Sequence, residues 1–367
     1  MRINLKGIDM IIFFIVLIAV ILFSCSRWPK DQWKYGYLSI EQSTGIKGIF
    51  ALEIFLGHVF NYIHTSNVLD SSFLSVKSHL DQSVVVMFLF YSGFGMTESL
   101  KKKKTSYIFS IPKKRIFPVY TKFLISVLFT VCVEFCLGWR PSLRAILLSV
   151  IGWVDLGNYG WYIFVIIVLY FLFMLSFWIG TKNGNDNKAY IMSAGLLTVL
   201  SLLFLVLMMY PGRRYQWFYD TILFYPVGVW YSLFKAKIDV LLDNKAHYCF
   251  TCFVFLMLYI SFKLMSFDSF LFLELWYFVF AVVVLLISMR IRIRGRILTF
   301  FGRLVFPMLL MQGISYITLD HFGLPKSHPY LFVLAAFVMT VILSLLFSKC
   351  TSFIGRKDKI QTKTAPR

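Results

Sequence analysis

A lysine, a glutamate and a histidine interrupt one otherwise apolar stretch, Gly45-Ile46-Lys47-Gly48-Ile49-Phe50-Ala51-Leu52-Glu53-Ile54-Phe55-Leu56-Gly57-His58. Ionisable side chains in hydrocarbon cost about 2.5 kcal/mol or more each on insertion scales, so those that persist carry function. A sheltered neutral imidazole is suited to take a proton from a hydroxyl, and a fixed cation to hold an anionic ligand. At about 100° per residue, the spacing from Lys47 to His58 puts both within about 20° of one helix face. At about 1.5 Å per residue it separates them by roughly 16 Å, half of a hydrocarbon core of about 30 Å. The pair reads as an interfacial cation above a general base at mid-depth, a track for an anionic ligand. Glu53 is the second catalytic candidate. It lies about 140° round the helix from His58, so it lines another wall of the cavity or pairs with a neighbouring helix.

Further segments add to this pair. In Phe88-Leu89-Phe90-Tyr91-Ser92-Gly93-Phe94-Gly95-Met96, Ser92 and the two glycines lack bulk, so either a neighbouring helix approaches closely or the backbone opens toward a cavity. Glu98 is placed to reach Lys101 or Lys102. Pro112-Lys113-Lys114-Arg115-Ile116-Phe117-Pro118-Val119-Tyr120 sets three cations before a helix. Lys113, Lys114 and Arg115 are therefore candidates for phosphate, arginine above all, because its planar fork donates two hydrogen bonds at once. Trp161 and Tyr162 open a later helix, as an aromatic belt or as stacking surfaces for sugar rings. Pro226 and Gly228 fall within an apolar run and predict a kink. Gln312 is a polar residue expected to bond another helix. The six cysteines, Cys249 and Cys252 included, lack metal-site spacing and read as small buried apolar residues, so no metal is expected.

The elements that must position these residues are membrane helices. The chain is 59% hydrophobic and 19% aromatic, an all-α integral membrane composition. Apolar runs near 8–24, 46–63, 82–99, 116–138, 159–179, 189–209, 216–234, 247–264, 270–289, 297–317 and 330–348 predict about eleven transmembrane helices, the first an extra one before a core of ten. Residues 1–367 then form a single membrane domain: the extra helix at 8–24, a core over 40–350, and a basic tail at 351–367. Leu22-Phe23-Ser24-Cys25 resembles a lipoprotein signal end, but phenylalanine is poor there and an uncleaved helix fits better. The net charge of +20 is a topology signal rather than a nucleic-acid footprint. Threading the spans gathers most Lys and Arg on one face, including the Lys101–Lys104 run and the Arg290, Arg292, Arg294 and Arg296 comb. By the positive-inside rule that face is cytoplasmic, with the C-terminus inside and the N-terminus outside.

Taken in order, these segments resemble the acyltransferase-3 family of polytopic membrane O-acyltransferases. The family has a basic residue, ten intervening residues and a histidine, matched by Lys47 and His58. It has an F-x-x-S-G-F/Y segment, matched from Phe88 on, and an R-I-x-P-x-Y segment, matched by Arg115-Ile116-Phe117-Pro118-Val119-Tyr120. A W-Y pair, here Trp161 and Tyr162, and a Pro-Gly helix, here Pro226 and Gly228, come later in the chain. Lys47 stands where the family most often has arginine, and Gln312 where it often has histidine. The resemblance implies transfer of an acyl group, usually acetyl, from acyl-CoA to a hydroxyl of a surface polysaccharide or lipid-linked glycan in a bacterial plasma membrane. His58 and Glu53 are then the catalytic candidates. Lys47, Lys113, Lys114, Arg115 and Ser92 are the candidates for holding acetyl-CoA. The rival class is a glycan flippase or polymerase, which requires no lysine-to-histidine register.

Overall fold

The computed structural model describes residues 8–29, 32–63, 82–182, 184, 186–210, 215–265 and 269–354. The long helices are α1 (Ile8–Ser24), α2 (Ile40–Val59), α3 (Ser83–Lys103), α4 (Thr105–Cys136), α5 (Leu143–Val150), α6 (Gly160–Gly180), α7 (Asn187–Met209), α8 (Phe224–Asp243), α9 (Lys245–Met265), α10 (Phe270–Arg290), α11 (Arg296–His321) and α12 (Pro329–Cys350). Among the described residues, nine helices are long and apolar enough to cross a membrane. The expected runs at 8–24 and 216–234 are absent from that set: α1 has only 17 residues, and α8 carries Lys235, Lys237 and Asp239. The basic tail from 355 on, the Arg213-Arg214 turn and the loop histidines His64 and His79 lie outside the described residues.

Two boundaries differ from the apolar runs, each for a local reason. Helix α2 starts at Ile40 rather than 46, because the Ser39 side chain accepts from the Gln42 N–H and caps it. Lys47 therefore lies in the third turn of the helix and His58 in its last turn. Helix α8 starts at Phe224 rather than 216, so Pro226 falls in its first turn, where its missing N–H costs no hydrogen bond, and the expected kink disappears. The cysteines are not buried: Cys132, Cys136, Cys249 and Cys350 are exposed, and Cys25 and Cys252 are intermediate.

A two-stranded antiparallel ribbon, β1 (Cys25–Arg27) with β2 (Ile291–Ile293), joins the end of α1 to the α10–α11 junction. Gln42 extends it like a strand, donating to the Ile291 carbonyl at 2.9 Å and accepting from the Ile293 N–H at 2.8 Å. The start of α2 is thereby tied to the start of α11. The two helices then run in the same direction with their backbones in contact. A β-carbon at Gly48 would collide with the Leu298 carbonyl oxygen, and one at Gly302 with the Thr44 carbonyl oxygen. Close approach through small residues is how helices associate where lipid removes the hydrophobic driving force. Helices α3 and α8 cross in the same way, Gly93 against the Tyr225 carbonyl and Gly228 against that of Phe90. Both readings of the Ser92-Gly93-Phe94-Gly95 segment are thus realised on different faces. Gly93 packs, whereas Ser92 and Gly95 line a cavity.

Gly48→Leu should force α2 and α11 apart and lower the thermal midpoint of the purified protein by the equivalent of about 1–3 kcal/mol, the usual cost of overpacking. Gly95→Ala should leave it unchanged, since nothing lies within 4 Å of a β-carbon there.

Candidate active site

The helices enclose a cavity of about 970 Å³. Ligand pockets run to about 1,000 Å³, so this one has room for a long donor arm together with a second molecule. Lys47, Glu53, His58, Ser92 and Arg115 all lie on its wall, with Trp161 and Tyr162; Lys113 and Lys114 do not. The three cations of one segment are thus separated, and the cause is a wide turn inside α4. From Pro112 to Ile116 the helix has π register, the Phe117 N–H donating to the Pro112 carbonyl five residues back. Pro112 and Pro118 lack the donors that would keep the tighter register, and of the three cations, all of them exposed, Arg115 alone lines the cavity. π-turns of this kind often occur at functional sites.

One end of the cavity is cationic. The Lys47 ammonium sits 5.6 Å from the Tyr91 ring centroid, close enough to Arg115 for the two charges to repel. Arg115 Nε donates to the Tyr107 hydroxyl at 3.3 Å, and the Ser92 and Tyr170 hydroxyls are bonded at 3.1 Å. Among the described residues neither Lys47 nor Arg115 has a carboxylate partner. Glu98 instead pairs with Lys101 at 2.8 Å and accepts from Ser232 at 2.7 Å. Two like charges facing one cavity repel each other, and an anion placed between them relieves that repulsion.

Farther along α2, His58 is held on two sides. Its Nδ1 lies 2.9 Å from the side-chain amide of Gln312 on α11, so the expected polar contact of Gln312 is with the candidate base itself. Tyr159 stacks flat on the imidazole, ring centroids 4.0 Å apart and planes 8° from parallel. Tyr159 is in the left-handed region, φ 52°, a conformation that costs a bulky residue energy and needs support. Asp155 supplies it, one carboxylate oxygen accepting from the N–H groups of Gly157, Asn158 and Tyr159, each at 2.9 Å. The loop fits against α11 because the Gly157 carbonyl occupies the space a β-carbon at Gly313 would need.

Across from α2, the cavity wall carries Gln216, Trp217, Asp220, Lys263, Trp276 and Tyr277. The Tyr277 hydroxyl donates to Asp220 at 3.4 Å, and the Lys263 ammonium lies 4.0 Å above the Trp276 ring. Sequence reasoning passed over this group, although the apolar run predicted at 216–234 already placed Asp220 inside a span. Tyr159 reads from the sequence only as part of an interfacial aromatic segment, and nothing there pairs it with His58.

The acyltransferase-3 family model, described as an acyltransferase domain, matches residues 40–349. The chain belongs to that family. Among curated proteins no relative matches, and no solved structure matches. An acyltransferase-3 domain with, among the described residues, nine apolar helices long enough to cross a bilayer makes the protein a multi-pass membrane acyltransferase. Its cavity holds the basic residue and the histidine of the family pattern, Lys47 and His58.

Asp155→Ala should cost about 1.5–3 kcal/mol, the scale of hydrogen bonds to a charged group, and should lower acyl transfer by releasing Tyr159 from His58. Asp155→Asn, which keeps an acceptor oxygen, should recover most of both. Thermal unfolding and acyl-transfer assays on the three proteins check this.

Proposed function

We propose that this acyltransferase moves an acetyl group from acetyl-CoA to a hydroxyl of a surface or lipid-linked glycan. The observation that carries the reading is a cavity with two cations at one end, neither paired with a carboxylate among the described residues, and a histidine farther along α2. The donor's phosphates suit Lys47 and Arg115, where the guanidinium can make a bidentate contact. Ser92 lies beside them. Roughly 16 Å of helix rise from Lys47 to His58 leaves the pantetheine arm the length it needs to bring the thioester to the imidazole.

His58 takes the proton of the acceptor hydroxyl as its oxygen attacks the thioester carbonyl. The new C–O bond forms, the C–S bond breaks, and the proton passes from His58 to the departing CoA thiolate. Glu53, buried on the same wall system, is proposed to tune the charge of the cavity rather than to touch the ring. The acceptor is assigned to the opposite wall. There Asp220 accepts and Lys263 and Gln216 donate hydrogen bonds, while Trp217 and Trp276 offer flat faces. Mixed donors, acceptors and aromatic faces suit a sugar, whose hydroxyls do both and whose C–H faces stack.

The orientation that fits is C-terminus inside and N-terminus outside in a bacterial plasma membrane, since CoA thioesters are made in the cytoplasm. The positive-inside distribution supports it, and it faces the start of α2 and the Arg115 segment toward the donor.

His58→Ala should abolish glycan acylation while the protein inserts and accumulates normally; normal acylation in cells carrying the alanine protein would remove His58 from the mechanism. Arg115→Ala should weaken CoA binding about 10- to 100-fold, the equivalent of about 1.5–3 kcal/mol. Lys113→Ala and Lys114→Ala should leave it nearly unchanged. Titration calorimetry with CoA and dephospho-CoA separates these outcomes, and equal losses at all three positions would remove the selective role of Arg115.

A further inference from the structure

The contacts around Gln312 over-determine where the protons lie. The amide is 1% exposed and Tyr316 is fully buried, so each polar contact between them needs a donor and an acceptor. One end of the amide is 2.9 Å from His58 Nδ1. The other end is 3.3 Å from the Tyr316 hydroxyl, and that hydroxyl is 3.0 Å from the Phe55 carbonyl oxygen. A phenol has one proton. Phe55 can only accept, and its contact is the shorter, so the Tyr316 proton goes there. The 3.3 Å contact is then two oxygens facing each other without a proton if Oε1 of Gln312 points to Tyr316. The two ends of a primary amide have the same shape, and the hydrogen-bond network is what tells them apart. Turned the other way, Nε2 donates to the Tyr316 oxygen and Oε1 faces Nδ1. Each of these three contacts then has one proton and one acceptor.

We infer that Gln312 presents Oε1 to His58 and holds the neutral imidazole as the Nδ1–H form, with Nε2 as its basic nitrogen. Gln312 is then a positioning residue, acting through His58, and Tyr316 with the Phe55 carbonyl fixes Gln312. The opposite orientation makes Nδ1 the acceptor and places the proton on Nε2, so the ring nitrogen not held by Gln312 has no lone pair to offer a hydroxyl. Because Phe55 and His58 share α2, the proton arrangement of the base is set one turn away by the helix that carries it. The inference rests on His58 being the base.

The test is a direct measurement of the tautomer. Histidine labelled with ¹⁵N is incorporated into the full-length protein in lipid bilayers, and the His58 signals are identified by their loss in His58→Ala. Couplings between ring carbons and nitrogens at alkaline pH should show a protonated Nδ1 and an unprotonated Nε2, and Tyr316→Phe should mix the two forms. In acyl-transfer assays, Gln312→Leu should lower kcat by about 10²- to 10⁴-fold, the range of general-base catalysis, with CoA affinity unchanged. Gln312→Glu, which still accepts from Nδ1–H but adds a negative charge, should move the acidic limb of the kcat/KM profile upward by about one to three pH units. A neutral ring protonated on Nε2, or an acidic limb unmoved in Gln312→Glu, overturns the inference. If His58→Ala remains active, the base assignment itself fails whatever the tautomer.

Discussion

The contact between α2 and α11 organises this molecule. Nothing apolar drives two greasy helices together in a bilayer, so their association depends on how closely the backbones approach. Gly48 and Gly302 remove the side chains that would hold them apart, and Gln42 binds the start of α2 to the strand leading into α11. With the near ends fixed, the far ends are in register as well, and His58 meets Gln312 there. The site is the distal consequence of a packing decision made three turns earlier.

The same helix surface sorts two kinds of polarity. Toward α11 it offers an imidazole held in a network of neutral hydrogen bonds. Toward α3 and α4 it offers Lys47 to a space it shares with the positive charge of Arg115. The first environment favours a group that exchanges a proton, the second a group that holds an anion in place. Combining both on α2 keeps their separation rigid, because a helix does not change its rise to suit a ligand.

Much of this was legible in the sequence. The charged residues inside an apolar run located α2, and the order of the motifs alone assigned His58, Lys47, Arg115 and Ser92 to one site. What the sequence concealed has definite physical causes. Hydropathy cannot see a serine cap, so the polar first turn of α2 was lost and Lys47 was taken for the mouth of a helix that begins about two turns earlier. A run of Lys-Lys-Arg reads as one cluster until a π-turn divides it. Tyr159 reaches His58 through a left-handed residue, a carboxylate that binds three amides and a glycine on another helix. No periodicity records such a path. Asp220 and Lys263 come together only when α9 and α10 fold beside α8.

The wide turn in α4 has a consequence for how this protein tolerates change in chain length. Between Pro112 and Ile116 the helix holds one residue more than a regular spiral of the same rise. Losing any one residue there would let the spiral close up with scarcely any loss of backbone hydrogen bonds. Everything upstream would, however, rotate by about 100° relative to the downstream turns of the helix, and the guanidinium would swing out of the cavity toward the neighbours it now leaves behind. A deletion of this kind keeps the helix continuous, yet it turns the buried Tyr107, Ile108 and Ile111 off their packed face and empties the anion-holding end of the cavity of half its charge.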